Sequence, residues 1–364
     1  MKIKVPYTKF GRQVEKIIWI TIFWIVISML QFFTFYSTMV YLNFDMTGLN
    51  IFRYFTGSIF TGLSAGLLGG ALIVIYWERW LRTKSYGSSL LRIFLSYTLI
   101  YFIVSTTSQL FINAGQLNVS FLNTGAWQAT WMDVASFNIL NSYLFWLFVV
   151  IITLIAMLVN DKYGPGIFVS FLLGKYFHPR REERIFMFLD LRGSTTIAEK
   201  LGEARYFNFL KDVFRDVTPG ILNSKGEIYQ YVGDEIVISW KGDSGTKNAN
   251  SLQCFFYIRQ LLMNNASYYK EHYDGIVPEF KAGLHYGYVM AGEIGIVKRD
   301  IAYSGDVLNT TARIQSKCNE LGVNILISKY LLDKLGALPQ LFKPTVVGEM
   351  ALRGKQQTVI LYTV

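Results

Sequence analysis

Charge-free apolar stretches alternate with short polar connectors over the first 160 residues, and the alternation stops near Asn160. Ile17 to Leu42 and Tyr54 to Trp77 hold no Asp, Glu, Lys or Arg, and each exceeds the ~20 residues a helix needs to cross a hydrocarbon core. Ile93 to about Ala114 and Asn138 to Val159 have the same character, so four transmembrane helices are expected. The first is read as a resident span, because its apolar run is longer than the roughly 7 to 15 residues of a signal-peptide core. From Ile185 onward the pattern is that of a soluble domain. Ile185 to Leu189 is an apolar run of strand length, and an amphipathic helix is expected from about Thr196, with Ile197, Leu201, Phe207, Leu210, Val213 and Phe214 at helical spacing. Glu227 to Tyr231 and Ile236 to Trp240 read as a hairpin around Gly233-Asp234-Glu235. Phe280 to His285 and Thr358 to Thr363 read as further strands, and a helix follows Gly305-Asp306. Three regions result: a transmembrane domain over 1–160, a linker over 161–184 and an α/β domain over 185–364.

Composition agrees with this division. The chain is 52% hydrophobic and 16% charged, against ~25% charged in ordinary soluble domains. The formal charge of +10 could signal nucleic acid, acidic lipid or membrane topology, and position decides between them. Lys2, Lys4, Lys9, Arg12 and Lys16 precede the first span. Arg79, Arg82, Lys84 and Arg92 lie between the second and third, and Lys162, Lys175, Arg180, Arg181 and Arg184 follow the fourth. The connectors 43–52 and 115–137 hold no Lys or Arg. Lys and Arg concentrate on the cytoplasmic side of membranes, so a multi-pass cell-membrane protein with both termini and the soluble domain in the cytoplasm is expected. The basic excess is then a topology signal, with the bilayer as partner and no role for nucleic acid. Cys254 and Cys318 match no disulfide framework or zinc spacing and read as free cytosolic thiols.

The spans carry no mid-membrane ionisable residue, which argues against a pump or transporter. Gln31, Gln109 and Asn141 are expected to act as hydrogen-bonding glue between helices. The 115–137 connector, with Trp127 and Trp131, is long for a loop. It is either a contact for an external ligand or signal, whose identity is unknown, or a pair of interfacial anchors. In the linker, Gly164-Pro165-Gly166 breaks the helix, Ile167 to Tyr176 is apolar, and His178-Pro179 begins another break.

The candidate chemistry begins at Asp190, a carboxylate at a strand end, followed by Leu191 and then Gly193-Ser194-Thr195 at the start of a helix. Free N–H groups at such a start can hold phosphate, and the same residues would also serve as a plain N-terminal cap. Asp234 sits at the hairpin tip. If that hairpin lies beside the first strand, the two aspartates could bridge two hard cations, as in-line phosphoryl transfer requires. Lys281 stands alone among apolar residues of its strand. Asn309 and Arg313, four apart, share a helix face, and Lys355 lies in Leu352-Arg353-Gly354-Lys355 before the last strand.

In this order, FLDLRGST, YVGDEIV, FKAGLH, GDVLNTTAR and LRGK, the segment from about Ile185 to Val364 resembles the class III nucleotidyl cyclase catalytic domain, the family of adenylate and guanylate cyclases. The resemblance implies a ferredoxin-like α/β fold working as a head-to-tail homodimer with sites shared between protomers. By motif position it implies that Asp190 and Asp234, with the Leu191 carbonyl, hold two Mg²⁺ or Mn²⁺ ions. Asn309 would orient the ribose, Arg313 would stabilise charge at the α-phosphate, and Lys355 would hold the terminal phosphates, beside the helix-start reading of Gly193, Ser194 and Thr195 as phosphate-binding residues. Lys281 falls at the base-reading position, where Lys goes with adenine, so ATP is the expected substrate. Ala302 falls at the second base-reading position, where adenylate cyclases usually carry Asp or Thr, and it offers no side-chain hydrogen bond. A guanylate or dual-specificity cyclase is one alternative reading. A membrane receptor whose cyclase-like domain only binds nucleotide is the other. His285 is expected to be structural.

Overall fold

The computed structural model describes residues 9–47, 49–77, 80, 85–163, 173–297, 299–351 and 358–364. The chain forms two compact units, one over Lys9–Val159 and one containing everything from Asn160 on.

The first unit contains α1 (Lys9–Tyr41), α2 (Ile51–Leu72, ending in a π-helical turn Ile73–Trp77), α3 (Tyr86–Leu117), α4 (Thr124–Val134) and all but the last four residues of α5 (Asn138–Tyr163). Four of these hold segments long and apolar enough to cross a membrane: Gln13–Tyr41, Ile51–Trp77, Gly87–Leu117 and Asn138–Asn160. α1 and α2 approach through glycine. A Cβ on Gly62 would lie 2.6 Å from the Ile25 Cα, and one on Gly66 would lie 2.5 Å from the Thr21 Cα. Small residues four apart let two membrane helices meet backbone to backbone.

The expected glue residues do not act as glue. Among the described residues, Gln31, Gln109 and Asn141 make no interhelical hydrogen bond. The task falls to hydroxyl and indole groups, whose shorter reach suits closely spaced helices. Trp24 Nε1 donates to Thr153 Oγ1 (3.0 Å), Ser28 to the Ser58 carbonyl (2.6 Å) and Tyr97 to the Tyr143 carbonyl (2.7 Å). The 115–137 connector is also not a plain loop. It contains α4, capped by Asn123, with Ala126 and Thr130 fully buried one turn apart. Asn113 of α3 ties it down through Asp133 (2.8 Å), while Trp131 stays 58% exposed.

The second unit is an α/β domain. Its elements are β1 (Arg180–Leu191), α6 (Ser194–Leu201), α7 (Glu203–Asn223), β2 (Glu227–Val232), β3 (Glu235–Lys241), α8 (Gly242–Thr246), α9 (Asn250–Asn264), α10 (Ala266–His272), β4 (Phe280–Ile294), β5 (Asp300–Ser304), α11 (Asp306–Glu320), β6 (Ile325–Ser328), α12 (Lys329–Leu335), β7 (Thr345–Ala351) and β8 (Thr358–Thr363). The sheet runs β2-β3-β1-β4-β6-β8-β7, with β5 paired to β4. Among these pairings β4–β6 is parallel and the rest are antiparallel.

β1 is central because its apolar run is buried on both faces. Ile185, Met187 and Leu189 pack with Phe209, Val213, Val217 and Ile221 of α7 and with Leu252 and Ile258 of α9. Phe186 and Phe188 pack on the opposite face with Val237, Val289 and Val307. β1 is twelve residues long, so it begins within the expected linker, and Tyr176 anchors the preceding segment by donating to Glu182 (3.0 Å). The linker residues 164–172 lie outside the described residues. The single amphipathic helix expected from Thr196 is two helices, parted at Gly202 with φ +71°, a left-handed conformation that glycine adopts readily. Cys254 and Cys318 are free and buried, and burial pushes their thiols up to about 12 and about 11.

One buried charge holds β1 to its neighbours. Arg184 is 1% exposed and pairs with Glu182 (2.8 Å) and with Glu227 of β2, while its guanidinium lies 4.7 Å from the Tyr303 ring centroid. Removing Arg184 takes the counter-charge from Glu182, which is only 16% exposed, while Glu227 at 36% keeps access to water. Arg184→Ala is therefore expected to cost about 3 kcal/mol, read as faster amide hydrogen exchange across Ile185 to Leu189. Unchanged exchange there would show that the cluster contributes little.

Candidate active site

The site forms where β1 ends. Antiparallel pairing sets Asp190 opposite Lys281 of β4, and Leu189 opposite Ile236 of β3. The β2–β3 hairpin turns at Gly233, with φ +61°, so Asp234 is delivered beside the end of β1. The expected neighbourhood of the two aspartates is present. Both carboxylates act on Glu235, whose own carboxyl is pushed up to about 7, first by burial and then by Asp190 and Asp234, with Lys281 opposing. Tyr206 of α7 also feels both, and its phenol is held above the ordinary range chiefly by burial.

Asp190 Oδ2 is engaged from two sides. Lys281 Nζ lies 3.0 Å away, and Gln315 Nε2 of α11 donates to it at 3.0 Å. α11 reaches this close because β4 has glycine at 283, where a Cβ would lie 2.4 Å from the Gln315 nitrogen. Asp234 is different. Among the described residues its Oδ2 is buried with no hydrogen-bond partner, an arrangement that costs about 1–3 kcal/mol when nothing fills it. A surplus of carboxylate charge, one oxygen of it buried and unpartnered, suits a hard cation with oxygen ligands. Among the described residues, no three His, Cys, Asp or Glu side chains are already grouped to hold a metal.

Leu191 ends β1 and is 2% exposed. Gly193 adopts φ +64° and begins α6 without a capping side chain. The first intrahelical bond runs from Ile197 N–H to the Gly193 carbonyl (2.9 Å), which leaves the N–H groups of Ser194 and Thr195 outside the helical ladder. On α11, Val307, Thr310, Thr311, Ile314, Gln315 and Cys318 are buried. Asn309 is exposed and Arg313 half-buried, and neither side chain has a hydrogen-bond partner among the described residues.

The two expected base-reading residues do not meet within one protomer. Lys281 is near the start of β4, whereas Ala302 pairs with Gly292 near its end. At ~3.3 Å per residue that separation is roughly 35 Å, far more than one purine spans. The Lys281 ammonium is engaged with Asp190, and Ala302 lies next to Tyr303, whose N–H donates to Tyr229 of β2 (3.3 Å). Lys355 lies outside the described residues. His285 is 9% exposed and its Nδ1 is 2.8 Å from Ser328 Oγ, a buried contact within the sheet. The residues that sequence reasoning missed are Glu235, Gln315 and Tyr206. Glu235 directly follows Asp234 and Gln315 lies two residues after Arg313, so adjacency was the signal available for both.

The family model of the adenylate and guanylate cyclase catalytic domain matches residues 178–364, just over half of the chain. The chain therefore belongs to that family, and its second unit is a nucleotidyl cyclase catalytic domain. Cyclases of this family depend on divalent metal ions and act as dimers on nucleotides. The chain is 38% identical over 199 residues to adenylate cyclase 2 of Rhizobium meliloti (strain 1021), covering 55% of this chain and 54% of that protein. It is 23% identical over 201 residues to guanylate cyclase 2D of Rattus norvegicus, covering 54% of this chain and 18% of that one. The chain thus spans about half the length of the first relative and far less of the second. Among solved structures, a bacterial light-regulated adenylyl cyclase is similar with a TM-score of 0.51 and 20% identity, over 63% of this chain and 66% of that one. That likeness concerns the fold.

Proposed function

We propose that this protein is a membrane-anchored adenylate cyclase that converts ATP into 3′,5′-cyclic AMP and pyrophosphate at sites shared across a head-to-tail homodimer. Its termini and catalytic unit lie in the cytoplasm, and a signal at the membrane unit regulates it. The observation that carries the catalytic reading is the pair of strand-end carboxylates, Asp190 and Asp234, with the Asp234 oxygen buried and unpartnered.

Asp190 and Asp234, with the Leu191 carbonyl, would hold two Mg²⁺ or Mn²⁺ ions, which when bound favour ionisation of the ribose 3′-hydroxyl and neutralise the phosphates. Gln315 fixes the Asp190 carboxylate in place. Gly193, Ser194 and Thr195 present backbone N–H groups to phosphate oxygens. Asn309 and Arg313 lie on the face of α11 that does not pack on its own sheet, as expected of groups that complete a partner's site. There Asn309 orients the ribose and Arg313 meets charge growing at the α-phosphate. Lys355 binds the terminal phosphates by its place in the LRGK motif.

Preference for ATP is supported by Lys281 and by similarity to a relative named as an adenylate cyclase. The separation of Lys281 from Ala302 supports a second reading, a cyclase that also accepts GTP. Full-length protein supplied with Mg²⁺ or Mn²⁺ and with ATP or GTP separately is expected to form cyclic AMP, with cyclic GMP slower by roughly tenfold or more. Equal rates would establish dual specificity. No product from either nucleotide would sink the catalytic proposal in favour of a nucleotide-binding receptor.

A further inference from the structure

The four-helix unit encloses a cavity of about 320 Å³, within the range that holds small organic ligands. Its walls are largely apolar, and the rings of Trp24 and Trp146, with centroids 5.9 Å apart, form part of them. Among the described residues lining it, no Asp, Glu, Lys, Arg or His is present.

Among the polar side chains lining this space, Ser108, Gln109 and Gln31 have no hydrogen-bond partner among the described residues. Ser108 of α3 is 4% exposed, and its Oγ is buried with nothing to bond. Gln109 beside it and Gln31 of α1 line the same cavity, and their amides make no hydrogen bond. In a bilayer core each such group costs up to several kcal/mol. Neighbouring polar groups on the same cavity are satisfied: Ser28 by the Ser58 carbonyl, Tyr101 by the Ile139 carbonyl and the Trp24 indole by Thr153. Ser108, Gln109 and Gln31 thus bring unsatisfied polar groups from α1 and α3 to one hole. Helix association does not explain them, since they bridge no helices.

We infer that this cavity is a binding site for an uncharged, lipophilic aromatic molecule bearing a hydroxyl or carbonyl oxygen. The oxygen accepts from Ser108 and from a glutamine amide, and the rings of Trp24 and Trp146 flank the aromatic body. A charged ligand is disfavoured because the lining offers no countercharge in a medium of low dielectric. The inference rests on the membrane unit alone, so its failure would leave the cyclase proposal intact.

The test uses the full-length protein in lipid nanodiscs, a diazirine-bearing photoreactive 2-naphthol as probe and plain 2-naphthol as competitor, with labelled residues located by mass spectrometry. The expected result is saturable labelling of cavity residues between Tyr101 and Ile112 that the competitor removes. Ser108→Leu, which fills the space, should reduce that labelling at least tenfold. Ser108→Ala, a milder change that keeps the packing, should weaken apparent affinity by roughly three- to tenfold, the equivalent of one hydrogen bond. Labelling that rises linearly with probe, falls on lipid-facing positions such as Leu99 and Phe148, and ignores both substitutions would overturn the site and leave the cavity to water.

Discussion

Asp234→Ala is expected to lower cyclic nucleotide formation by about 10³-fold or more while leaving the catalytic unit at least as stable as before. The loss follows from what the carboxylate is for. A bound metal ion supplies several kcal/mol of transition-state charge stabilisation, and every ~1.4 kcal/mol is a factor of ten in rate. The stability forecast comes from Asp234 Oδ2, which is buried with no hydrogen-bond partner among the described residues. Removing a buried unpartnered group relieves a cost rather than adding one. It also removes one of the two aspartates that push the Glu235 carboxyl up to about 7. Product formation and urea unfolding, both measured without added nucleotide analogue, should move in opposite directions. A variant that loses activity and stability together would make Asp234 a structural residue, and one that keeps activity would remove it from the site.

Much of this arrangement is legible in sequence wherever one local signal decides the structure. Charge-free runs of more than twenty residues locate the spans, since nothing else accommodates them. The IFMFL run leading to Asp190 and the glycine before Asp234 identify a buried strand and a tight hairpin. What is not legible depends on register and on approach between distant segments. That Lys281 faces Asp190 follows from the pairing of β1 with β4, and that Ala302 lies far from Lys281 follows from the fifteen-residue length of β4. Neither is encoded in local spacing. α4 escaped because its fully buried residues, Ala126 and Thr130, are too few and too small to mark an apolar stripe. Gln31 and Gln109 resemble interhelical glue in sequence, and only the packing shows that they open onto a cavity instead.

The proposed sharing of sites makes a second strong prediction. Arg313→Ala alone should cost about 10²–10³-fold in rate, the usual penalty for removing one group aimed at developing charge. Mixed in equal amounts with Asp234→Ala before reconstitution, it should recover about a quarter of wild-type activity. In a head-to-tail dimer one site takes its aspartates from the first protomer and its arginine from the second, and the other site the reverse. A mixed dimer thus carries one site with both defects and one with neither. Roughly half of randomly formed dimers are mixed, and each keeps one of two sites. The position of Arg313 motivates this. It is half-buried on α11, has no hydrogen-bond partner among the described residues, and lies off the buried face formed by Thr310, Ile314 and Gln315. Had each site been built within a single chain, both variants would be dead in any mixture, because no chain would carry both groups. Mixed samples assayed for cyclic nucleotide, with each variant alone as baseline, therefore separate a shared site from a self-contained one by the presence or absence of recovery.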